Sequence, residues 1–125
     1  MAFHKFSFEK LEVWQDARIL TIAYYKLTET FPVEEKFGLS QQIRRAAISI
    51  CSNIAEGSSR TSAKDKAHFT TLAFGSLMEL LNQSIIACDL KLISENQLSD
   101  CRIIISKISI KLSNLKKSQL SKLTP

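Results

Sequence analysis

The sequence predicts an all-α protein, an antiparallel up-down-up-down four-helix bundle formed by a single domain over residues 1–125. Three observations support this prediction. The chain has only three Gly and two Pro, which argues against a turn-rich all-β fold. Apolar residues recur at three- and four-residue spacing in four segments, as they do on the buried side of a helix. Connections of only a few residues join these segments, and such short connections place consecutive helices antiparallel.

The first helix is predicted over about residues 9–30. Its apolar side consists of Leu11, Trp14, Ala17, Leu20 or Thr21, Tyr24 and Leu27. Pro32 ends it, because proline cannot continue a helix and pushes the preceding residue out of the α region.

The second helix, over about residues 39–56, carries two stripes at steps of four, three and four. The apolar stripe consists of Ile43, Ala47, Ile50 and Ile54. The polar stripe beside it consists of Arg45, Ser49, Ser52 and Glu56, so it begins and ends in charge. Gly57 is expected to form the left-handed C-terminal cap.

Gln42 and Asn53 extend this polar stripe, and Glu79 of the third helix is assigned to the same group. A solvated helix face normally carries more long charged side chains than this one does. Two interpretations stay open. The polar groups satisfy one another within one subunit, or they form a seam that sets the register between helices or between protomers.

The third helix is predicted over about residues 62–90, with Ser62 and Asp65 close to a capping-box pattern. Its core positions are Ala73, Leu77, Leu80, Ser84 and Ala87, and Leu72 is expected to widen that face. Gly75 lies in its middle. Since glycine costs about 1 kcal/mol relative to alanine in a helix, a close approach of another helix is expected there.

The fourth helix is predicted over about residues 95–118, after a capping box formed by Ser94 and Gln97. Leu98, Cys101, Ile105, Ile108, Leu112 and Leu115 keep heptad spacing. Ile103, Ile104 and Ile110 lie outside that stripe. One buried face does not need them, so they predict a second contact surface.

Charge is distributed unevenly along the chain, whose net charge is +5. Residues 1–36 carry a net −1 and residues 37–125 a net +6, and the segment from Arg102 to Lys122 has six basic residues and no acidic one. Such a positive field attracts nucleic acid or an acidic protein. The candidate phosphate contacts are Arg44, Arg45, Arg60, Lys64 and Lys66, placed near the second loop, and Lys107, Lys111, Lys116 and Lys117 on the last helix. No aromatic residues interleave with them, so little base reading is expected.

The sequence contains no motif for catalysis: no Gly-rich phosphate loop, no H-E-x-x-H and no nucleophile elbow. Glu56 and Glu79 could face each other inside the bundle, but a di-iron site also needs E-x-x-H, which is absent. We therefore expect no enzyme activity, no metal and no cofactor. Cys51, Cys88 and Cys101 are expected to be reduced core fillers.

The N-terminal segment has no uninterrupted apolar run of the kind a signal peptide needs, since Lys5, Glu9, Lys10 and Glu12 interrupt it. No run of residues approaches the roughly 18 to 20 apolar residues of a membrane span. A cytoplasmic protein without a membrane role is the expectation.

Three stretches, "FEKLEVWQDA", "QIRRAAISICSNIAEG" and "GSLMEL", resemble the bacterial four-helix-bundle proteins of the 23S rRNA intervening-sequence family. The resemblance extends from about Phe8 to Leu115. It implies association into a homopentamer around a central axis. It also implies kinship with the accessory variability determinant of diversity-generating retroelements, a basic pentameric barrel that binds nucleic acid and a reverse transcriptase.

The resulting hypothesis is a non-enzymatic, ring-forming bundle that binds RNA or DNA through backbone electrostatics. The alternative is a protein-interaction scaffold that docks a partner such as a reverse transcriptase and has no direct nucleic-acid role.

Overall fold

A computed structural model describes residues 3–123, which form four α-helices and, within that range, no strand. The helices are α1 (Glu12–Thr28), α2 (Leu39–Ser58), α3 (Ala63–Asp89) and α4 (Glu95–Leu120). Short 3-10 turns occupy Ser7–Lys10, Val33–Glu35 and Ser121–Leu123. Consecutive helices pack against each other, and α1 also packs against α4. The predicted four-helix bundle is confirmed.

Each helix buries one stripe in a shared core. The five core positions predicted on α3 are completely buried, whereas Leu72 is exposed because it lies on the outer side of that helix. At the centre, the Tyr24 hydroxyl donates to Ser84 Oγ at 2.6 Å, and Ser84 donates to the carbonyl oxygen of Leu80 at 2.7 Å. Burial raises the pKa of Tyr24 above its usual value. The buried phenol therefore keeps the proton that it donates to Ser84.

Helix α1 is shorter than predicted because its N-terminal residues adopt another conformation. Ser7–Lys10 form a 3-10 turn and Leu11 is extended, so the α-helix begins only at Glu12. Its buried side is Val13, Ala17, Leu20, Tyr24 and Thr28. The predicted Leu11, Trp14 and Leu27 are only partly buried at its margins.

The two helix starts that were predicted from capping patterns, at Ser62 and Ser94, are confirmed. The Ser62 side chain accepts from the Asp65 backbone N–H at 3.0 Å. Ser94 accepts from the Gln97 backbone N–H at 3.0 Å, and the Gln97 side chain accepts from the Ser94 backbone N–H at 2.8 Å. These bonds satisfy donors that the first turn of a helix leaves free.

Both glycine predictions are wrong. Gly57 is a helical residue with no left-handed conformation, and it is buried where α2 approaches α3. A Cβ atom at Gly57 would lie 2.9 Å from Phe69 Cβ and 3.3 Å from the Lys66 carbonyl oxygen. Gly75 was expected at a close approach, but a Cβ atom added there would have no neighbouring side chain or second helix of the described chain within 4 Å. The close approach therefore occurs at Gly57.

Helix α3 is long and apolar enough to cross a membrane by length and composition alone, and 33% of its most apolar 18 residues are buried in the bundle. The buried helix of a bundle meets the same criteria. Here Ala73, Leu77 and Leu80 lie in the core against the other helices.

Candidate nucleic-acid interface

The candidate phosphate-binding residues lie in three separate places. We call the end of the bundle where α2 ends and α3 begins the α2–α3 end. The N-terminal segment and the end of α4 also lie there, since Ser7 Oγ is 2.7 Å from Ser58 Oγ and Thr70 Oγ1 donates to Gln119 Oε1 at 2.8 Å. The residues at this end are Arg60, Lys64, Lys66, Lys116 and Lys117.

Arg44 and Arg45 lie at the opposite end, which we call the α1–α2 end. They were expected near the second loop. The distance along α2 from Arg45 to Ser58 is about 20 Å, because a helix rises about 1.5 Å per residue. Lys107 and Lys111 lie on α4 between the two ends. One phosphate-binding patch cannot contain the whole predicted group.

Four of these nine cations are engaged by their own chain. The ammonium of Lys111 donates to the carboxylates of Glu12 and Asp16 on α1. The hydrogen bonds to Asp16 and then to Glu12 raise the pKa of Lys111. Lys111 is therefore an internal link between α1 and α4.

The other three engaged cations are Arg44, Arg60 and Lys66. Arg60 donates to Glu56 Oε2 at 2.7 Å, and its guanidinium carbon lies 4.5 Å from the centroid of the Phe69 ring. Lys66 donates to the carbonyl oxygen of Ser58 at 3.2 Å, near the C-terminus of α2. That carbonyl has no partner within its own helix, so Lys66 helps to terminate α2.

The remaining five cations have no ion-pair partner among residues 3–123. Arg45, Lys64, Lys107 and Lys117 are exposed, and Lys116 is half-buried. Lys116 lines a depression of about 230 Å³ between α3 and α4, whose wall also includes Thr70, Thr71, Phe74 and Ser113. Unpaired ammonium and guanidinium groups of this kind can contact phosphate oxygens directly.

The polar stripe of α2 divides into an inner and an outer half. Ser49 Oγ lies 2.8 Å from Ser76 Oγ of α3, and the Asn53 amide donates to the carbonyl oxygen and the hydroxyl of Ser49. This half is therefore satisfied between two helices of one chain. The outer half, Gln42, Arg45, Ser52 and Glu56, is exposed.

Glu56 and Glu79 do not face each other, contrary to the carboxylate site considered above. The contact of Ser49 with Ser76, and that of Gly57 with Phe69, define the antiparallel register of α2 and α3. In that register the two glutamates are offset by about 15 Å along the helices. Both are exposed; Glu56 binds Arg60, and Glu79 Oε1 accepts from Gln83 at 3.3 Å.

An aromatic group that the sequence did not predict lies beside the cations of the α1–α2 end. Phe37 and Tyr25 line one depression together with Arg44 and Arg45, although Tyr25 is distant from the others in sequence. The expectation that no aromatic residue accompanies the cations is therefore wrong at this end. The only sequence signal was Phe37 itself, an aromatic residue in the connection after Pro32.

Comparison with known proteins identifies the relatives of this bundle. A family model described as 23S rRNA-intervening sequence protein matches residues 9–114. A crystal structure of a protein of unknown function from the S23 ribosomal protein family, from Bacteroides thetaiotaomicron VPI-5482, superimposes with a TM-score of 0.78 at 22% sequence identity. The alignment covers 84% of this chain and 95% of that chain. The likeness to that structure shows the fold. No curated protein gives a significant match.

Proposed function

The chain belongs to the 23S rRNA-intervening sequence protein family, and we propose that it is a non-enzymatic, ring-forming bundle that binds RNA or DNA through the phosphate backbone. The observation that carries this proposal is the set of cations on α4 and the following turn that have no acidic partner among the described residues. Of the six basic residues from Arg102 to Lys122, only Lys111 forms an ion pair with another residue of the described range 3–123.

The α2–α3 end is the main contact surface in this proposal. Three lysines lie at this end of the molecule. Lys64 is on the first turn of α3, and Lys116 and Lys117 are on the last turns of α4. Their ammonium groups act as point charges, which suits phosphate oxygens and carries no sequence information. Binding at this end is therefore electrostatic and releases counterions, so affinity falls steeply as salt rises.

Self-association strengthens such contacts. Large apolar side chains are exposed on the outer sides of several helices: Ile19, Ile22, Ile48, Leu72, Met78, Ile86, Ile103 and Ile110. Single exposed apolar residues are ordinary, whereas a contiguous exposed apolar patch favours contact with another copy. Ile103 and Ile110 are seven residues apart and so lie on the same side of α4. In a homopentamer five weak electrostatic contacts act together, because each bound contact raises the effective concentration of the next.

Fluorescence anisotropy with a short labelled RNA or DNA duplex tests this proposal. We expect binding by the wild-type chain at about 50 mM salt and a steep decrease by about 200 mM. Lys116→Gln/Lys117→Gln should weaken binding and reduce the slope of log affinity against log salt by about 0.9 for each phosphate that the variant no longer neutralises.

The matched control is Lys26→Gln/Lys91→Gln, which removes two exposed lysines elsewhere on the bundle. It lowers the net charge equally, so it separates a local contact from a general reduction of charge. Equal weakening by both double variants would contradict a specific surface at the α2–α3 end. Absence of wild-type binding at low salt would refute nucleic-acid binding itself.

The exposed apolar side chains also favour a second candidate function, a scaffold that docks a protein such as a reverse transcriptase. Binding to a purified reverse transcriptase would then survive nuclease treatment and high salt, because apolar contacts are not screened. Complex formation that depends on added nucleic acid would instead support the first proposal.

A further inference from the structure

A depression at the α1–α2 end combines cations with aromatic rings. It has a volume of about 390 Å³, within the range of small-ligand pockets. Its lining residues are Tyr25, Lys36, Phe37, Gln41, Arg44, Arg45 and Ile48, so it contains three cations and no acidic side chain. Glu29 lines an adjacent depression that shares Lys36 and Arg44 with this one, and Glu35 accepts from the Leu39 backbone N–H at 3.2 Å. Neither carboxylate forms an ion pair with the three cations among residues 3–123.

Phe37 supplies an open aromatic face. It lies in the turn between Val33–Glu35 and α2, and 82% of its surface is exposed. The ammonium of Lys36 lies over this ring, with Nζ 5.5 Å from the ring centroid. An unpaired base can stack on a solvent-facing aromatic ring of this kind, and a neighbouring cation can neutralise the phosphate of the same nucleotide.

Arg44 is held rigidly in the same depression. Its Nε donates to Thr28 Oγ1 at 2.8 Å and its Nη2 to the carbonyl oxygen of Tyr25 at 3.2 Å. The guanidinium carbon lies 4.5 Å from the centroid of the Tyr25 ring. Tyr25 and Thr28 thus fix the guanidinium plane before a ligand arrives, which reduces the entropy cost of binding. Arg45, one residue further, is exposed and has no ion-pair partner in residues 3–123.

We propose that this depression binds one unpaired nucleotide of single-stranded RNA or DNA. The base stacks on Phe37, and Lys36 and Arg45 contact the flanking phosphates, with Arg44 fixed as a third positive charge behind them. This inference rests on the proposed nucleic-acid function and adds a ligand class to it. The α2–α3 end holds phosphate in any duplex, whereas the depression needs a base that is free of its complement.

Charge complementarity favours a polyanion as the occupant of this depression. Three cations and no acidic side chain line it, so a two-fold contact between copies would set like charges against one another. The heterologous contact of a ring would need an acidic patch of the neighbouring copy at this place, in a chain whose net charge is +5. A strand with exposed bases satisfies the cations and the aromatic face together.

The test compares a labelled single-stranded RNA with a duplex of the same sequence, using the full chain and fluorescence anisotropy. Phe37→Ala should weaken single-strand binding roughly 5- to 150-fold, which is the range for removal of one stacking partner. Duplex binding should stay unchanged. Phe37→Trp should retain single-strand affinity, because it keeps a stacking face. Phe3→Ala is the matched control, since Phe3 is 80% exposed and lies outside the depression.

Four outcomes would overturn this inference. If Phe37→Ala binds each probe with the same affinity as the wild-type chain, the depression does not bind a nucleotide, while the proposed function stands. If Phe37→Ala weakens the binding of the single-stranded and the duplex probe equally, Phe37 contributes to nucleic-acid binding without a preference for unpaired bases. A change of solution mass with unchanged single-strand affinity would make this face a contact between copies. If the wild-type chain binds neither probe, both proposals fail.

Discussion

At the scale of single residues, the two helical glycines of this bundle have opposite surroundings. Gly57 is buried against Phe69 and Lys66 of α3, whereas Gly75 lies in open space on the outer side of its helix. Glycine is needed only where a Cβ has no room. The two positions therefore allow the same substitution to be compared within one chain.

We predict that Gly57→Ala lowers the free energy of unfolding by about 1–2 kcal/mol, because overpacking against α3 outweighs the gain in helix propensity. Gly75→Ala should raise it by about 0.5–1 kcal/mol, since propensity alone changes there. Urea denaturation of both variants checks the pair. A shift of both variants in the same direction would contradict the assigned close approach.

At the scale of helices, α4 carries two kinds of lysine. Lys111 bonds Glu12 and Asp16 and so connects the last helix to the start of the first. Lys107 lies one turn earlier on α4 and forms no ion pair in the described residues. The two side chains have the same chemistry, so only their neighbours decide that Lys111 links two helices and that Lys107 has no ion-pair partner among the described residues.

We expect Lys111→Gln to lower the melting temperature and Lys107→Gln to leave it unchanged. Because hydrogen bonds raise the pKa of Lys111 in the folded state, its contribution is complete below about pH 10, near the unfolded pKa, and disappears as pH rises through the higher folded pKa. Thermal melts from neutral to alkaline pH measure the difference between Lys111→Gln and wild type. A difference independent of pH, or an equal decrease in Lys107→Gln, would count against the ion pair.

At the scale of the whole molecule, the bundle buries a full core and still exposes apolar side chains on its outer surface. Of the three isoleucines expected to form a second contact surface on α4, Ile103 and Ile110 are 66% and 59% exposed. Ile104 is instead partly buried and packs against the core. The surplus apolar surface of α4 is therefore smaller than predicted, and it faces directly outward.

We predict that the wild-type protein is a pentamer of the 14.1 kDa chain in dilute buffer, and that Ile103→Ser/Ile110→Ser reduces its mass. Light scattering after gel filtration measures both. Ile48→Ser, on the outer side of α2, is the comparison for a single exposed isoleucine. A monodisperse wild-type monomer would refute self-association, and an unchanged mass in the double variant would exclude the outer side of α4 from the interface.

The sequence by itself determined the class of the fold, the two capped helix starts and most of the core, because helix periodicity and capping depend on residues three or four positions apart. It also showed the excess of basic residues in the second part of the chain, although Arg44 and Arg45 were assigned to the wrong end of the bundle. The tertiary structure alone decided which of those cations are free, since Lys111 meets Glu12 and Asp16 only when α1 packs against α4. It likewise brought Tyr25 beside Arg44, and it placed the close approach at Gly57. Such contacts between distant segments depend on how helices dock, and no local pattern in the chain encodes that.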